Sequence, residues 1–336
     1  MSGEHPDHPG GEFAWIARLA RVLGGESLAA IGDDTATILS DGGAWAWTVD
    51  TLVEGVHFRF DWLDPEAVGR RALVASLSDL AAAGAEPAGA LVAAAGPADT
   101  FARRIEGVYR GLRAAGNEAG CPVLGGDLAR AEGPLHLTVT ALGRTRGRLP
   151  LGRSGVMAGD ELWLTGALGG PAAALALLAA AADGNAVASA RAHEAYERLA
   201  APRARLAEVA WLRERVPLHG GIDLSDGLSG DAGHLAERSG VAIVLDTERV
   251  PLHPGAVSAA RARGTDPAAW ALHGGEEFEL LLAAPAGAIV PHADAFVTEF
   301  GLPLTRIGEA RAGNGVIARR GAVETSLAPA SWDHFA

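Results

Sequence analysis

The sequence predicts an α/β (α+β) protein of two domains, and three observations support this. The chain has 336 residues, which is more than one hydrophobic core usually serves. Short apolar strand candidates and longer helix candidates occur together in both halves. A segment rich in Gly, Arg and Pro, from Arg144 to Ser154, lies between the halves. We therefore expect an N-terminal domain at 12–147 and a C-terminal domain at 148–336, after a disordered polar tail at 1–11.

In the N-terminal half, the clearest helix candidate spans 64–83. Asp64 is a plausible N-cap, Pro65 takes the first helical position and Gly84 lies just past the end. The segment AWAWTV at 44–49 reads as a strand that delivers Asp50 at its end. The remaining predicted elements are helices at 12–23 and 99–118, strands at 89–95 and 135–142, and a short strand running into a turn at 121–127.

The C-terminal half alternates strands and helices in the same way. Strands are predicted at 161–166, 241–246 and 278–284, the last entered directly from GGEE. A loop after the first of them leads into an Ala/Leu-rich helix, and 186–215 holds one or two helices. Residues 221–240 read as a loop and a helix that stops at Gly240, and a helical run ends near 263.

Composition excludes several classes of function. The formal net charge of −13 argues against nucleic-acid binding, because the chain lacks the excess of cationic side chains that would neutralise phosphates. The sequence contains no lysine, which excludes a P-loop, a protein-kinase lysine and a Schiff base. The single cysteine, Cys121, reads as a buried structural thiol. No signal peptide and no stretch long enough to span a bilayer are visible, so we expect a cytoplasmic protein with no membrane partner.

Six short acidic motifs set among Gly, Ser or Thr are the most informative feature of the chain. Carboxylates on tight backbone supply the hard oxygen ligands that suit Mg²⁺ bound to phosphate. Because the motifs lie far apart in sequence, a large fold would have to assemble them into one site. The motifs are IGDD at Asp33 and Asp34, VDT at Asp50, SDL at Asp79, GGD at Asp127, DLSDG at Asp223 and Asp226, and GGEE at Glu276 and Glu277.

Each motif also has a structural interpretation. IGDD and GGD could be ordinary turns, and Asp or Ser in DLSDG could cap a helix, although one helix needs only one of the three candidates. Asp79 is different, because a carboxylate near the C-terminus of an apolar helix opposes the helix dipole and calls for a compensating cation. GGEE has no comparable structural explanation. His57 and Arg153 are each as consistent with a surface role as with contact to a phosphate.

Taken together and in order, these motifs resemble the thiamine-monophosphate kinase family. That family belongs with aminoimidazole ribonucleotide synthetase, selenophosphate synthetase and a hydrogenase-maturation protein. The segments that carry the resemblance are GEFAWIARL, IGDD, DTLVEGVHF, LSDLAAAGAEP, LGGD, RSGVMAGDELWLTG, IDLSDGLSGDAGHLAERSG, HGGEEFELL, RIGE and the terminal WDHF.

The resemblance implies an aminoimidazole ribonucleotide synthetase-like fold, with an N-terminal domain that pairs in a homodimer and ATP in the cleft between domains. It implies transfer of the γ-phosphoryl group of ATP to thiamine monophosphate, assisted by several Mg²⁺ ions. The acceptor is a phosphate that is already ionised near neutral pH, so no residue need act as a general base.

The family's site residues carry over by motif position. Metal contacts are implied for eight residues: Asp33, Thr48, Val49, Asp50, Asp79, Asp127, Asp223 and Asp226. ATP contacts are implied for Gly126, Asp127, Arg153 and Ser225. Contacts to thiamine monophosphate are implied for His57, Glu276 and Trp332, whose indole would stack on a thiamine ring.

Four departures from the family pattern bear on this interpretation. Val49 and Leu128 replace threonines, GGEEFEL replaces GGEDYEL, and Ser331 replaces a glycine. Val49 could therefore contact a metal only through its carbonyl oxygen. Two alternatives remain open at this stage: another ATP-dependent synthetase of the superfamily, and a non-catalytic paralogue that binds nucleotide or thiamine phosphates.

Overall fold

A computed structural model of the chain describes residues 33–328, together with the isolated positions 14, 16, 18, 19 and 22. The tail expected at 1–11 and most of the helix expected at 12–23 lie outside the described residues. Ser331 and Trp332 lie outside them as well. Among the described residues, no helix is both long and apolar enough to cross a membrane.

The first half of the described chain forms a five-stranded sheet with two long helices. The strands are β1 (Ala36–Ser40), β2 (Gly43–Val53), β3 (Glu86–Gly96), β4 (Val123–Arg130) and β5 (His136–Arg146), in the order β1-β2-β5-β3-β4. Pairing is antiparallel except between β3 and β4. The helices are α1 (Pro65–Ala82) and α2 (Glu106–Ala119), the second entered through Ala98–Thr100 and a π-helical turn at Phe101–Ile105.

Side-chain alternation gives this sheet one covered and one open face. Along β2, Ala44, Ala46 and Thr48 are buried, whereas Trp47 and Val49 between and beyond them are 47% and 62% exposed. Because successive strand residues point to opposite faces, the buried set packs towards α1 and the exposed set lines the open face. An apolar open face of this kind is uncommon on a soluble monomer.

The second half forms a seven-stranded sheet, in which only β8 and β11 pair in parallel. Its strands are β6 (Asp160–Thr165), β7 (Gly220–Asp223), β8 (Ala242–Asp246), β9 (Leu280–Pro285), β10 (Leu304–Arg311), β11 (Val316–Arg320) and β12 (Val323–Ser326). They are ordered β12-β11-β8-β10-β6-β9-β7.

Helices surround this second sheet. They are α3 (Gly170–Ala179), α4 (Gly184–Arg191), α5 (Tyr196–Ala200), α6 (Leu206–Arg215), α7 (Leu228–Ser239), α8 (Pro254–Arg263), α9 (Pro267–His273) and α10 (Ala293–Phe300), with 3-10 turns at Thr247–Arg249 and Val290–His292. The two-domain α/β prediction is thus matched by two separate sheets. The first ends at Arg146 and the second begins at Asp160, and the boundary expected at 147/148 falls between them.

Several predicted elements have different bounds in the structure. α1 begins at Pro65 as expected, but the Asp64 side chain makes no capping bond and instead contacts Arg191 at 2.5 Å. The region 186–215 was predicted to hold one or two helices, which was wrong: α4, α5 and α6 all reach into it. The peptide between α5 and α6 contains Pro202, which cannot donate a backbone hydrogen bond to continue a helix.

Two strand predictions misplaced acidic residues. β2 continues to Val53, so Asp50 lies inside the strand rather than at its end. β4 continues to Arg130, so GGD lies within a strand and not in a turn. The strand expected at 278–284 begins only at Leu280, because Glu276 and Phe278 have positive φ angles of 64° and 51°, which extended backbone does not adopt.

Helix α1 joins the two halves. Ala81 and Ala82, at its C-terminal end, belong to the same buried cluster as Leu280 and Leu282 of β9. The adjacent strand β7 also contacts α1, and it ends at Asp223. The C-terminal turn of α1 is therefore the place where acidic residues of both halves can meet.

Candidate active site

Hydroxyl groups on β2 and α1 orient three carboxylates at the junction of the two halves. Ser76 Oγ donates to Asp50 Oδ2 at 2.7 Å, and Ser78 Oγ donates to Asp223 Oδ2 at 2.7 Å. Thr48 Oγ1 donates to Asp79 Oδ2. Each hydroxyl bond therefore helps to hold its carboxylate in one orientation.

Asp34, Asp79 and Asp223 form the central carboxylate group. Each offers one oxygen atom, and these three atoms lie within 4.8 Å of one another. Oxygen ligands at about 2.1 Å from one Mg²⁺ lie up to about 4.2 Å apart, so the spacing is close to what a single ion needs. The three acids come from the loop before β1, the last turn of α1 and the end of β7, in agreement with the expectation that the fold assembles distant motifs.

The electrostatics of this group favour a cation. Burial, reinforced by the neighbouring carboxylates, raises the pKa of Asp79 well above its usual value and that of Asp223 to about 8. Burial also raises the pKa of Asp34, although Arg153 opposes the shift. Within residues 33–328, no basic side chain forms an ion pair with Asp79 or Asp223. A bound divalent cation would supply the missing compensation, and hard carboxylate oxygens are the donors that Mg²⁺ prefers.

Asp34 is a residue that sequence reasoning did not assign to the metal. The assigned residue was Asp33, whose Oδ1 instead accepts from the backbone N–H groups of Asp34 at 3.1 Å and Arg153 at 3.2 Å. Asp33 is absent from the central group, and its metal role stays a prediction. The only sequence signal was the pair of adjacent acids in IGDD, and a pair cannot reveal which member points inward.

Arg153 contacts the central group through Asp34. Its Nε lies 3.1 Å from Asp34 Oδ1, its Nη2 also bonds that oxygen, and the Asp34 side chain is 3% exposed. Asp34 and Asp223 together raise the guanidinium pKa in spite of burial. The residue assigned to ATP by resemblance is thus placed beside the carboxylates, within reach of any phosphate held there.

Asp50 and Val49 are on opposite faces of β2. Asp50 is on the face turned towards α1, where burial raises its pKa and its charge contributes to the shift of Asp79. The Val49 side chain is on the open face. The family departure at Val49 therefore leaves the surroundings of Asp50 unchanged, and only the Val49 carbonyl remains as a possible ligand.

Asp127 and Gly126 lie apart from the central group. Pairing aligns Asp50 with Val139 on β5, Val139 with Val92 on β3, and Val92 with Gly126 on β4. Three inter-strand spacings of about 4.8 Å, roughly 14 Å in total, therefore separate the β2 and β4 backbones. Asp127 cannot share one ion with Asp50 in the same chain. If it binds metal, it binds a different ion.

The loop at 223–227 does not use its acids to cap α7. The N-cap is Gly227, with φ 117°, and it makes no side-chain capping bond. Asp231, one turn into the helix, accepts instead from the N–H groups of Asp226 at 3.3 Å and Gly227 at 3.1 Å. The N-cap interpretation of Ser225 and Asp226 was therefore wrong.

The two acids of GGEE point to different surroundings. The Glu276 carboxylate bonds Arg71 of α1. Glu277 is 1% exposed, accepts from the N–H of Gly169 and lies 3.7 Å from Arg198, and burial raises its pKa to about 8. The left-handed backbone at Glu276 is strained for a residue with a side chain, at a typical cost of about 1–2 kcal/mol.

His57 lies in the loop after β2. Its Nδ1 accepts from the N–H of Val53 at 2.9 Å, so Nδ1 carries no proton and the neutral ring carries its proton on Nε2. Arg71 also approaches this loop, with Nη2 3.5 Å from the His57 carbonyl oxygen. The structure thus brings His57 and Glu276 to the same arginine. It does not describe Trp332, the third residue assigned to the acceptor.

Comparisons with known proteins agree with this architecture. The family described as AIR synthase related protein, N-terminal domain, matches residues 32–145, and its C-terminal domain counterpart matches residues 157–320. The thiamine-monophosphate kinase of Aquifex aeolicus is 32% identical over 97% of this chain and 98% of its own length. That of Escherichia coli K12 is 34% identical, with the same coverage of both chains.

A solved structure supports the same assignment. The structure named AaThiL complexed with AMPPCP and TMP is 31% identical, covers 99% of this chain and all of its own, and superposes with a TM-score of 0.84. These matches confirm the two-domain fold and the kinase class expected from the motifs. The chain belongs to the thiamine-monophosphate kinase family.

Proposed function

We propose that this enzyme transfers the γ-phosphoryl group of ATP directly to the phosphate of thiamine monophosphate, forming thiamine diphosphate. The observation that carries the proposal is the group formed by Asp34, Asp79 and Asp223, which draws on both halves of the chain and has too little positive charge of its own. Relatives named for this reaction cover nearly the full chain.

One Mg²⁺ would be held by Asp34, Asp79 and Asp223. Further ions would be held by Asp33, Asp50 and Asp226, which are neighbours of these acids in sequence or in space. The assignment of Thr48 and Val49 rests on the resemblance alone. Bound Mg²⁺ would neutralise phosphate oxygens and so allow two polyanions to approach. The protein's own contribution is positional, because Ser76 and Ser78 hold the carboxylates of Asp50 and Asp223 in fixed orientations.

ATP would contact β4. A cavity of about 860 Å³ runs along β4 and is lined by Gly126, Asp127 and, from α2, Tyr109, Arg110 and Arg113. This volume suits a nucleotide. Only glycine fits at position 126, because a side chain there would collide with the Val92 carbonyl of the paired strand. Arg153 and Ser225 would contact phosphates from the C-terminal side.

Thiamine monophosphate would occupy the region between His57 and Glu276, and the resemblance adds Trp332 as a third contact. In the neutral ring, His57 would donate its Nε2 proton to a phosphate oxygen or a ring nitrogen. The phosphate of thiamine monophosphate has a second pKa of about 6 and is mostly a dianion at neutral pH, so it can act as nucleophile without a general base.

A homodimer is part of the proposal, supported by the open face of the N-terminal sheet. Its exposed apolar side chains include Ile38, Trp47, Val49 and Leu91. Placing a charge at its centre, as in Val49→Arg, should convert the dimer to a monomer in sedimentation velocity. A wild-type chain that sediments as a monomer at micromolar concentration would remove this part of the proposal.

A cytoplasmic location and a domain division at 147/148 complete the proposal. The location rests on the need for ATP, and the division rests on the gap between the last strand of the first sheet and the first strand of the second.

The decisive experiment incubates the purified protein with ATP, Mg²⁺ and thiamine monophosphate and separates the products. Thiamine diphosphate and ADP should form in equal amounts, and free thiamine should not be phosphorylated. If thiamine monophosphate binds in calorimetry but no ADP is released over a range of Mg²⁺ concentrations, the chain is a binding paralogue. ADP formed only with another acceptor would indicate a different reaction of the superfamily.

A further inference from the structure

Arg71 is a charged side chain buried at the junction of the two halves. It projects from the N-terminal part of α1 and is 1% exposed. Its guanidinium reaches three partners that lie far apart in sequence: the Glu276 carboxylate, the Leu199 carbonyl at 2.8 Å and the His57 carbonyl at 3.5 Å. A guanidinium is costly to bury, so its retention here calls for a role that an apolar residue could not perform.

The segment around Glu276 is held from several sides. The N–H of Glu276 donates to the Ser225 carbonyl at 2.7 Å, and Arg198 donates to the Glu277 carbonyl at 2.8 Å. Helix α5 carries both Arg198 and Leu199, and Leu199 is the carbonyl partner of Arg71. Backbone contacts thus fix the chain at Glu276, while Arg71 alone among these residues bonds the Glu276 side chain.

The geometry points to Arg71 as a positioning residue that assembles the acceptor pocket from its two halves. Its guanidinium holds the Glu276 carboxylate of the C-terminal half against the His57 loop of the N-terminal half. Arg71 is covered by protein and would not contact the acceptor itself. The inference rests on the proposed function, because His57 and Glu276 are the residues proposed to bind thiamine monophosphate.

The role predicts a selective effect on the acceptor. Replacing Arg71 by Met keeps an unbranched apolar stem but removes the guanidinium, which frees the Glu276 carboxylate to rotate. The KM for thiamine monophosphate should rise at least ~10-fold, whereas the KM for ATP should change less than ~2-fold. The reason is that removing one partner of a buried, charged hydrogen bond mainly disturbs the other partner, which here is Glu276. Arg71→Lys should restore part of the loss, since a lysine can pair with Glu276 but not span all three partners.

A matched control lies next in the chain. Arg70 is on the same helix and pairs with Glu118 at 2.8 Å on the surface. Arg70→Met should leave both KM values unchanged. A double-mutant cycle with Glu276→Gln adds a second test, because Arg71→Met should weaken acceptor binding much less when Glu276 is already neutral.

Three results would overturn the inference: equal changes in both KM values, a change confined to the melting temperature, or additive effects in the cycle. If Arg71→Met does not fold, Arg71→Lys and Arg71→Gln provide the same comparison. Calorimetric titration with thiamine monophosphate separates this inference from the proposed function. A wild-type protein that binds but does not turn over refutes the kinase proposal, while weaker binding by the Arg71 variant would still support the positioning role.

Discussion

Ser78 and Asp223 are hydrogen-bonded across the two halves of the chain, with Ser78 Oγ donating to Asp223 Oδ2 at 2.7 Å. Both side chains are buried, at 0% and 2% exposure. The neighbour of Ser78 in sequence, Asp79, is in the same carboxylate group as Asp223. One turn of α1 therefore supplies both an acid of the group and the hydroxyl that orients an acid from the other half.

Replacing Asp79 by Asn should lower turnover by several orders of magnitude while leaving the fold intact. The same change should raise the melting temperature of the metal-free protein at alkaline pH, since an amide avoids the cost of ionising a buried carboxyl beside Asp50 and Asp223. Thermal unfolding with and without Mg²⁺, together with initial rates, measures both effects. Asp99→Asn, on an exposed acid paired with Arg103, serves as the control. Near-wild-type turnover would exclude Asp79 from the metal site.

The metal-free protein should become less stable as pH rises from about 4 to 8. The unfolded carboxyl of Asp223 ionises near pH 3.9, whereas its folded pKa is about 8. Between these values the folded state binds more protons than the unfolded state, so the free energy of unfolding falls by up to about 1.4 kcal/mol per pH unit for this one group.

Urea unfolding at pH 5.5, 6.5, 7.5 and 8.5 in the presence of EDTA tests this slope. Asp223→Asn should flatten it, and saturating Mg²⁺ should reduce it because the metal favours the ionised carboxylates. A stability that rises through this range in metal-free protein would contradict the burial of uncompensated acids at the site.

Glu277→Gln should be tolerated and Glu277→Ala should not. The raised pKa of Glu277 means that its carboxyl holds a proton more readily than usual, and a glutamine can still accept from the N–H of Gly169. Alanine leaves that N–H and part of Arg198 without a partner, at a cost of about 2–3 kcal/mol. Chemical unfolding of the two variants compares these costs. Equal stability of both would show that Glu277 does not anchor the Gly169 loop.

Restoring the family threonine at position 49 should change kcat/KM by less than ~2-fold, because strand alternation places this side chain on the face opposite to Asp50. The matched change on the other face, Thr48→Val, removes the hydroxyl that bonds Asp79 and should lower activity strongly. Steady-state rates of the two single variants decide the point. A large gain from Val49→Thr would mean that the residue acts within the site.

The sequence allowed the fold class, the helix that carries Asp79 and the identity of the acidic motifs to be predicted. These depend on local periodicity, on Pro65 and Gly84 at the ends of one helix, and on motifs that occur in a fixed order. It did not allow the ends of β2 and β4 to be predicted, because both strands continue past the residues that looked like turns. It could not reveal which acid of IGDD faces the site, since the two are adjacent and equivalent in pattern.

Sequence alone narrowed the chemistry: because the chain has no lysine, a phosphate in its site would be bound by metal ions, arginine or backbone N–H groups. Only the tertiary structure decided which acids act together. It groups Asp34, Asp79 and Asp223, sets Asp127 about three strands away, and turns Glu276 to Arg71 while burying Glu277. The physical reason is that a carboxylate's role depends on its distance from other charges and on its access to water. Chain folding sets both quantities over separations that no local pattern records.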